Sequence, residues 1–262
     1  MTSEVLTLED VCSAIVDCEH KTAPTVEVGI PSIRTTDIRN GVIDFNGANK
    51  LSNETYEEWT KRRKLVTGDL IICREAPVGE VGRLRDGELA ALGQRTVLLS
   101  PNHSLIDSKY LHYLLLSDDM QHTMNAWSVG STVAHLNVAD IKKIPLPPLP
   151  TLEIQSIIGG AIDDFDVLVF TLKSQCERFE ELCNALFKSW FIDFDPVKAK
   201  AEGRQPFGMD EETAALFPDS FEDSPLGPIP AGWKVCKLDK LTDISRGLSY
   251  KGAGLATEGV SM

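Results

Sequence analysis

From Ile158 to Trp190, apolar residues recur at alternating steps of four and three: Ile158, Ile162, Phe165, Val169, Leu172, Cys176, Phe179, Cys183, Leu186 and Trp190. That is an unbroken 3.5-residue repeat, the seam of a coiled coil. No proline interrupts it. At 1.5 Å per residue the stretch makes a helix on the order of 50 Å long. A compact domain of about 150 residues is too small to cover such a seam. The helix therefore needs a partner helix, from the same chain or from another. A long amphipathic core helix would carry a similar stripe, and length argues against it.

The residues before the helix predict a mixed α and β domain over 1–150. Thr67-Gly68-Asp69 leads into the apolar run Leu70-Ile71-Ile72-Cys73, a turn feeding a short strand. Ala76-Pro77-Val78-Gly79 precedes a second strand through Val81 to Leu84, and Thr96-Val97-Leu98-Leu99 reads as a third. Tyr110 to Asn125 has helical spacing, with Asp107 or Ser108 as its N-cap. Ile144-Pro145-Leu146-Pro147-Pro148-Leu149-Pro150 is an extended boundary, because its prolines cannot sit in a helix interior. The fold class is thus α+β: one globular domain (1–150), then a long coiled-coil helix (151–192).

Pro196 marks the helix end. Residues 193–223 carry nine acidic against three basic groups, so 193–232 reads as an acidic surface connection. Leu238-Asp239-Lys240-Leu241-Thr242-Asp243-Ile244 then echoes the pattern of Leu8-Glu9-Asp10-Val11-Cys12-Ser13-Ala14-Ile15. Residues 233–262 are therefore expected to open a second copy of the first domain.

The net charge of −13 argues against a uniformly basic nucleic-acid binder. The charge is uneven, however. Residues 1–150 hold 15 basic and 20 acidic groups, and 151–262 hold 11 and 19. The basic groups of the first part are clustered, with Lys61, Arg62, Arg63 and Lys64 in a run and Arg74, Arg83, Arg85 and Arg95 after it. A local positive face is compatible with an acidic total. The acidic start, MTSEVLTLED, has no apolar core of a secretory signal. No apolar stretch is long enough to cross a membrane. The expected compartment is the cytoplasm, with six reduced and mostly buried cysteines.

Motifs of catalysis do not occur. There is no GxxxxGK[ST] phosphate loop, GxSxG elbow, HExxH or CxxC, and the five histidines are dispersed. Asp193 and Asp195 form a solvated helix end better than a metal site, since no third ligand lies near. Gly79 and Gly82 fit tight turns. No cofactor, metal or catalytic residue is expected.

Several segments resemble the specificity subunits of type I restriction-modification systems. The strongest is Leu186-Phe187-Lys188-Ser189-Trp190-Phe191-Ile192-Asp193-Phe194-Asp195-Pro196-Val197-Lys198-Ala199-Lys200, which is similar to the family's region after its first long helix. Thr67-Gly68-Asp69-Leu70, Ala76-Pro77-Val78-Gly79, and Gly130-Ser131-Thr132 through Leu136-Asn137 to Ile144-Pro145-Leu146-Pro147 resemble landmarks of one target-recognition domain. The resemblance implies two such domains, each followed by a conserved helix. The helices pack antiparallel, each domain reads half of a split double-stranded DNA site, and methylation and restriction subunits dock around them. It also implies no active site in the specificity subunit itself. This chain departs in having one domain, one helix and only the opening of a second domain. It is read as a half-subunit that forms a homodimer through Ile158–Trp190, and a two-fold dimer reads a palindromic split site.

Charge and loop placement select Arg34, Lys61, Arg62, Arg63, Arg74, Arg83, Arg85 and Arg95 as phosphate contacts, with Gln94 as a base reader. Arg178 and Glu181, outside the seam, are expected to meet a methylation subunit. A rival reading is an assembly module that binds methylation subunits without reading DNA. A third is a stand-alone nuclease or methyltransferase, which the missing motifs disfavour.

Overall fold

The computed structural model describes residues 5–130 and 134–243, together with 245 and 247. The chain divides into two compact units, residues 1–172 and 173–262. The first opens with a one-turn helix α1 (Leu8–Val11). Strands β1 (Cys12–Asp17), β2 (Ile30–Ile33), β3 (Ile38–Arg39), β4 (Val42–Ile43) and β5 (Asn49–Leu51) follow, then α2 (Asn53–Trp59). Next come β6 (Leu70–Cys73), β7 (Val81–Arg83), β8 (Ala91–Leu92) and β9 (Thr96–Pro101), and the helices α3 (Ser108–Leu116), α4 (Asp118–Trp127) and α5 (Val138–Lys143).

A four-stranded antiparallel sheet, ordered β1-β9-β6-β7, is the backbone of this unit. In register, Leu70 and Ile15 flank Leu99, and Ile71 and Val16 flank Leu98. Side chains alternate between faces along a strand. Leu70, Ile72, Val97 and Leu99 join Leu8, Leu111, Leu115 and Ile141 in one core under the helices. Ile71, Cys73 and Leu98 join Ile33, Ile38, Ile43 and Leu84 in a second core on the other face. That is why Leu70–Cys73 reads as a continuous apolar run: both faces are covered. The second core is roofed by the β5-β2-β8 sheet and the β3-β4 hairpin. The hairpin turns at Asn40 and Gly41 with φ of 49° and 81°, the left-handed pair a two-residue turn requires.

The three strands expected from sequence are β6, β7 and β9, and α3 begins where expected. Asp107 is its N-cap, its side chain accepting from the Tyr110 N–H at 2.9 Å. The single helix expected over Tyr110–Asn125 is two. Ser117 adopts an extended backbone with ψ 150°, and its hydroxyl donates back to the Leu114 carbonyl. Asp118 and Asp119 then open α4, where carboxylates favour the helix N-terminus.

The long helix α6 runs from Leu152 to Phe191, 40 residues. Only Gln155, Gly159 and Asp163 are buried along it. Their spacing of four puts them on one face. That face lies on the first unit. Gln155 accepts from the Asp107 N–H at 2.9 Å and donates to the Pro150 carbonyl at 2.8 Å. Gly159 meets the start of α3 so closely that a Cβ would lie 2.6 Å from the Tyr110 nitrogen.

The second unit contains α7 (Asp195–Ala201), α8 (Glu211–Ala215) and the hairpin of β10 (Phe221–Ser224) and β11 (Gly227–Pro230). Val197, Met209, Ala214 and Phe217 form a small core, with Trp190, Phe194 and Trp233 packed against it. Two sequence expectations change here. Pro196 opens α7 and does not merely follow α6, since proline is tolerated in a first turn. The stretch read as an acidic connection is folded around apolar residues that were spaced too irregularly to show a period. Trp233 belongs to this small core, and most of the expected second-domain opening, Ile244 included, lies outside the described residues. So do Ser131 and Thr132 of the Gly130-Ser131-Thr132 landmark. Of the six cysteines, Cys18 and Cys73 are buried and Cys12 half-buried, whereas Cys176, Cys183 and Cys236 are exposed, fewer buried than expected. No helix among the described residues is long and apolar enough to cross a membrane.

Candidate nucleic-acid interface

Two adjoining clefts on the first unit share Glu19 and Gln94. Arg34 lines one, and Arg74 and Arg95 line the other. The β8–β9 turn, Gly93-Gln94-Arg95, forms their common rim. The Gly93 N–H donates to the Ile33 carbonyl at 2.7 Å, and the Thr96 hydroxyl donates to the Gly93 carbonyl at 2.8 Å. A Cβ at Gly93 would sit 2.6 Å from the Ile33 oxygen, so the turn needs glycine there. Arg95 has φ 67°, a left-handed conformation that few non-glycine residues adopt. Held this way, Gln94 and Arg95 are both exposed, and Gln94 donates to the Thr22 hydroxyl at 3.0 Å.

Each arginine around the clefts has a carboxylate partner. Arg74 bonds both oxygens of Asp17, at 3.1 and 2.9 Å, and Asp17 also meets His20 at 3.0 Å. Arg62 pairs with Glu19 at 2.6 Å, Arg34 with Asp37 at 2.8 Å, and Arg95 with Glu75. The Arg62 hydrogen bond holds the Glu19 carboxyl below its usual range. Burial pushes Asp37 up, but its hydrogen bonds with Arg34 outweigh burial and leave it low. A guanidinium has five N–H donors, and a carboxylate occupies only some of them. The pairs therefore fix each arginine's direction and leave donors for a second anion.

The remaining predicted contacts divide. Lys61 is exposed after α2, and Arg63 is half-buried with its Nε buried and without a hydrogen-bond partner. Arg83 and Arg85 do not join the clefts. Arg83 is buried and meets Asp163 of α6 at 2.6 Å, Arg85 meets the same carboxylate at 3.2 Å, and Lys109 meets it at 2.9 Å. Burial raises the Asp163 carboxyl, yet the Lys109 hydrogen bond and the two arginine charges bring it below its usual range. Tyr113 donates to Asp166 at 2.8 Å beside it. Arg83 and Arg85 thus hold α6 on the first unit through Asp163. The sequence signal was the polar, small-residue row Gln155, Gly159, Asp163 at steps of four on an otherwise apolar helix. Lys21 and His20, which also line the clefts, carried no signal because they stand alone in sequence.

Among the described residues, most seam side chains along α6 are exposed. Ile158 and Ile162 are 39% and 38% exposed, Phe165 69%, and Phe179 65%. Val169, Leu172, Cys176, Cys183 and Leu186 are likewise exposed. Trp190 differs, being half-buried with its ring 6.1 Å from Phe217. Among the described residues, no three His, Cys, Asp or Glu side chains form a metal-holding group.

The family described as the type I restriction modification DNA specificity domain matches residues 2–178. The chain is 27% identical over 220 residues to the type I restriction enzyme MjaIX specificity subunit of Methanocaldococcus jannaschii, covering 83% of this chain and 46% of the relative. It is 28% identical over 200 residues to the EcoBI specificity subunit of Escherichia coli, covering 73% and 41%. Among solved structures, the S subunit from M. genitalium aligns with a TM-score of 0.45 at 15% identity, over 82% of this chain and 50% of that one. The chain spans about half the length of the curated relatives it matches.

Proposed function

The chain belongs to the type I restriction modification DNA specificity family, and from that membership we propose that it is a DNA-recognition subunit with no chemistry of its own. It reads one half of a split double-stranded site and, paired with a second copy through α6, directs methylation and restriction subunits to a palindromic target in the cytoplasm. The observation that carries this reading is the convergence of Arg34, Arg74, Gln94 and Arg95 on the paired clefts, with Arg62 beside them on Glu19. Gln94 and Arg95, on one stiff exposed turn, suit adenine and guanine edges in a major groove. Arg34, Arg62 and Arg74, with Lys61 and Arg63 beyond them, suit phosphates that fix register.

The test is to express the chain with a methylation subunit of the family and map methylated bases across a genome. A palindromic split motif is expected. Gln94→Ala and Arg95→Ala should relax the motif at defined bases, each by roughly 10-fold or more in discrimination. Arg62→Ala should weaken methylation at all sites alike and flatten its salt dependence. A second reading, an assembly module that does not read DNA, draws on the carboxylate partner that each cleft arginine already has. It predicts complex formation with unchanged methylation in all three variants.

A further inference from the structure

The seam on α6 has a symmetry that admits a partner helix running the opposite way. Its steps of 4, 3, 4, 3, 4, 3, 4, 3, 4 read the same in both directions. We propose that two copies pair α6 antiparallel about a two-fold axis at Ser174, so that Leu172 faces Cys176, Val169 faces Phe179, Phe165 faces Cys183, Ile162 faces Leu186 and Ile158 faces Trp190 of the other copy. This rests on the homodimer reading above and adds its register. In the three central pairings each aromatic or leucine meets a smaller side chain, the alternation that lets layers interdigitate. The layers at both ends are also filled, so no seam residue is left without a counterpart.

A second row chooses the same register. Leu168 and Leu182 flank the seam, and both are more than half exposed. With the axis at Ser174, Leu168 of one copy lies beside Leu182 of the other. A slide of one heptad either way sets both leucines beside other residues. One slide puts Leu168 against Gln175 and Leu182 against Ala161, and strands Leu186 and Trp190. The other puts Leu168 against Ser189 and Leu182 against Gln175, and strands Ile158 and Ile162. That second slide brings Lys173 opposite Glu180, but exposed ion pairs contribute little, and four isoleucines per dimer would stay in water. If each seam side chain loses on the order of 80 Å², the full overlap buries about 800 Å² per copy, the size of a stable interface. The register also places the two Asp163 anchors about 22 residues apart along the helices, roughly 33 Å. That is close to one turn of B-DNA, the spacing that two-fold readers use.

Crosslinking tests the register, using the full chain with Cys236→Ser and copper-catalysed disulfide formation, which joins only directly facing cysteines. Phe165→Cys with Cys176→Ser leaves seam cysteines at 165 and 183, which face each other across copies, and most of the chain should shift to twice its monomer mass. Phe165 is exposed in the single chain, so this change leaves folding intact. A mixture of chains, one with Leu172→Cys and neither native seam cysteine, the other keeping only Cys176, should crosslink at the axis. Strong crosslinking instead in Phe165→Cys with Cys183→Ser, or in Leu172→Cys with Cys176→Ser, assigns one of the slid registers and overturns the proposal. Crosslinking of unsubstituted Cys176 and Cys183 means a parallel pair and overturns it too. A chain that is dimeric by light scattering yet crosslinks in none of these overturns the register and leaves the homodimer standing. A monomer at every concentration removes the homodimer itself.

Discussion

Strand β6 and helix α6 are both rich in aliphatic residues, yet they meet water in opposite ways. Leu70, Ile71, Ile72 and Cys73 are all fully buried, because helices cover one face of their sheet and a smaller sheet roofs the other. Along α6 the buried residues are Gln155, Gly159 and Asp163, and the isoleucines, leucines and phenylalanines are exposed. The ordinary rule for an amphipathic helix is inverted. The domain holds its helix by hydrogen bonds, a glycine contact and ion pairs, and reserves the apolar stripe for something else. Stability of the domain and association of the helix should therefore separate experimentally.

The largest effect is expected at the polar face. Asp163→Ala leaves Arg83 charged and buried without its partner, and should cost about 3–5 kcal/mol of domain stability by denaturant unfolding. Replacement of Asp163 and Arg83 together by apolar residues should recover much of that loss. The pH dependence follows from the same cluster. Asp163 has a depressed folded-state pKa, so its contribution is complete above the ordinary carboxyl value and is lost as pH falls through the folded one. His112 adds to the acid side. Burial first, and then the Arg83 charge, lower its pKa to about 4. Its neutral ring therefore stabilises the fold fully above about pH 6.5, and that contribution, about 3 kcal/mol, fades between 6.5 and 4. Unfolding midpoints that stay flat from pH 7 to 4 would contradict the His112 assignment, and midpoints that fall no further below pH 4 would contradict that of Asp163.

Next in size is a matched pair of leucines. Leu98, fully buried in the second core, should cost about 3 kcal/mol when changed to alanine, whatever the protein concentration. Leu172, half-exposed on α6, should cost the isolated chain almost nothing. Leu172→Ala should instead weaken self-association by roughly 10-fold or more in Kd, read by light scattering over a dilution series. Equal losses of unfolding stability in the two variants would mean that the seam is covered within the chain.

This contrast explains what was legible in the residues. The seam could be read because an exposed coiled-coil stripe is a local property with a fixed period, and β6 because a strand buried on both faces is a plain apolar run. The clefts were readable in part. Arg34, Arg74, Gln94 and Arg95 line them and Arg62 pairs with Glu19 on their wall, but nothing local to Arg83 or Arg85 says that a carboxylate eighty residues later claims them. Ser117 broke a helix through its backbone while the apolar spacing ran on. The small core around Val197 and Phe217 escaped notice because an acidic composition hid a handful of irregularly spaced anchors.

The smallest effect discriminates most finely. With the two-fold axis at Ser174, Glu180 lies on the flank opposite Asp166 of the other copy, and like charges at such positions oppose pairing by a few tenths of a kcal/mol. Glu180→Gln should therefore tighten the dimer by up to about twofold in low salt, and the gain should vanish as salt screens the pair. The slide that sets Glu180 against Lys173 predicts the opposite sign, a weaker dimer. The other slide sets it against Gly159 and predicts no change. A dilution series of wild type and Glu180→Gln at two salt concentrations thus reads the register from a sign, independently of any crosslink.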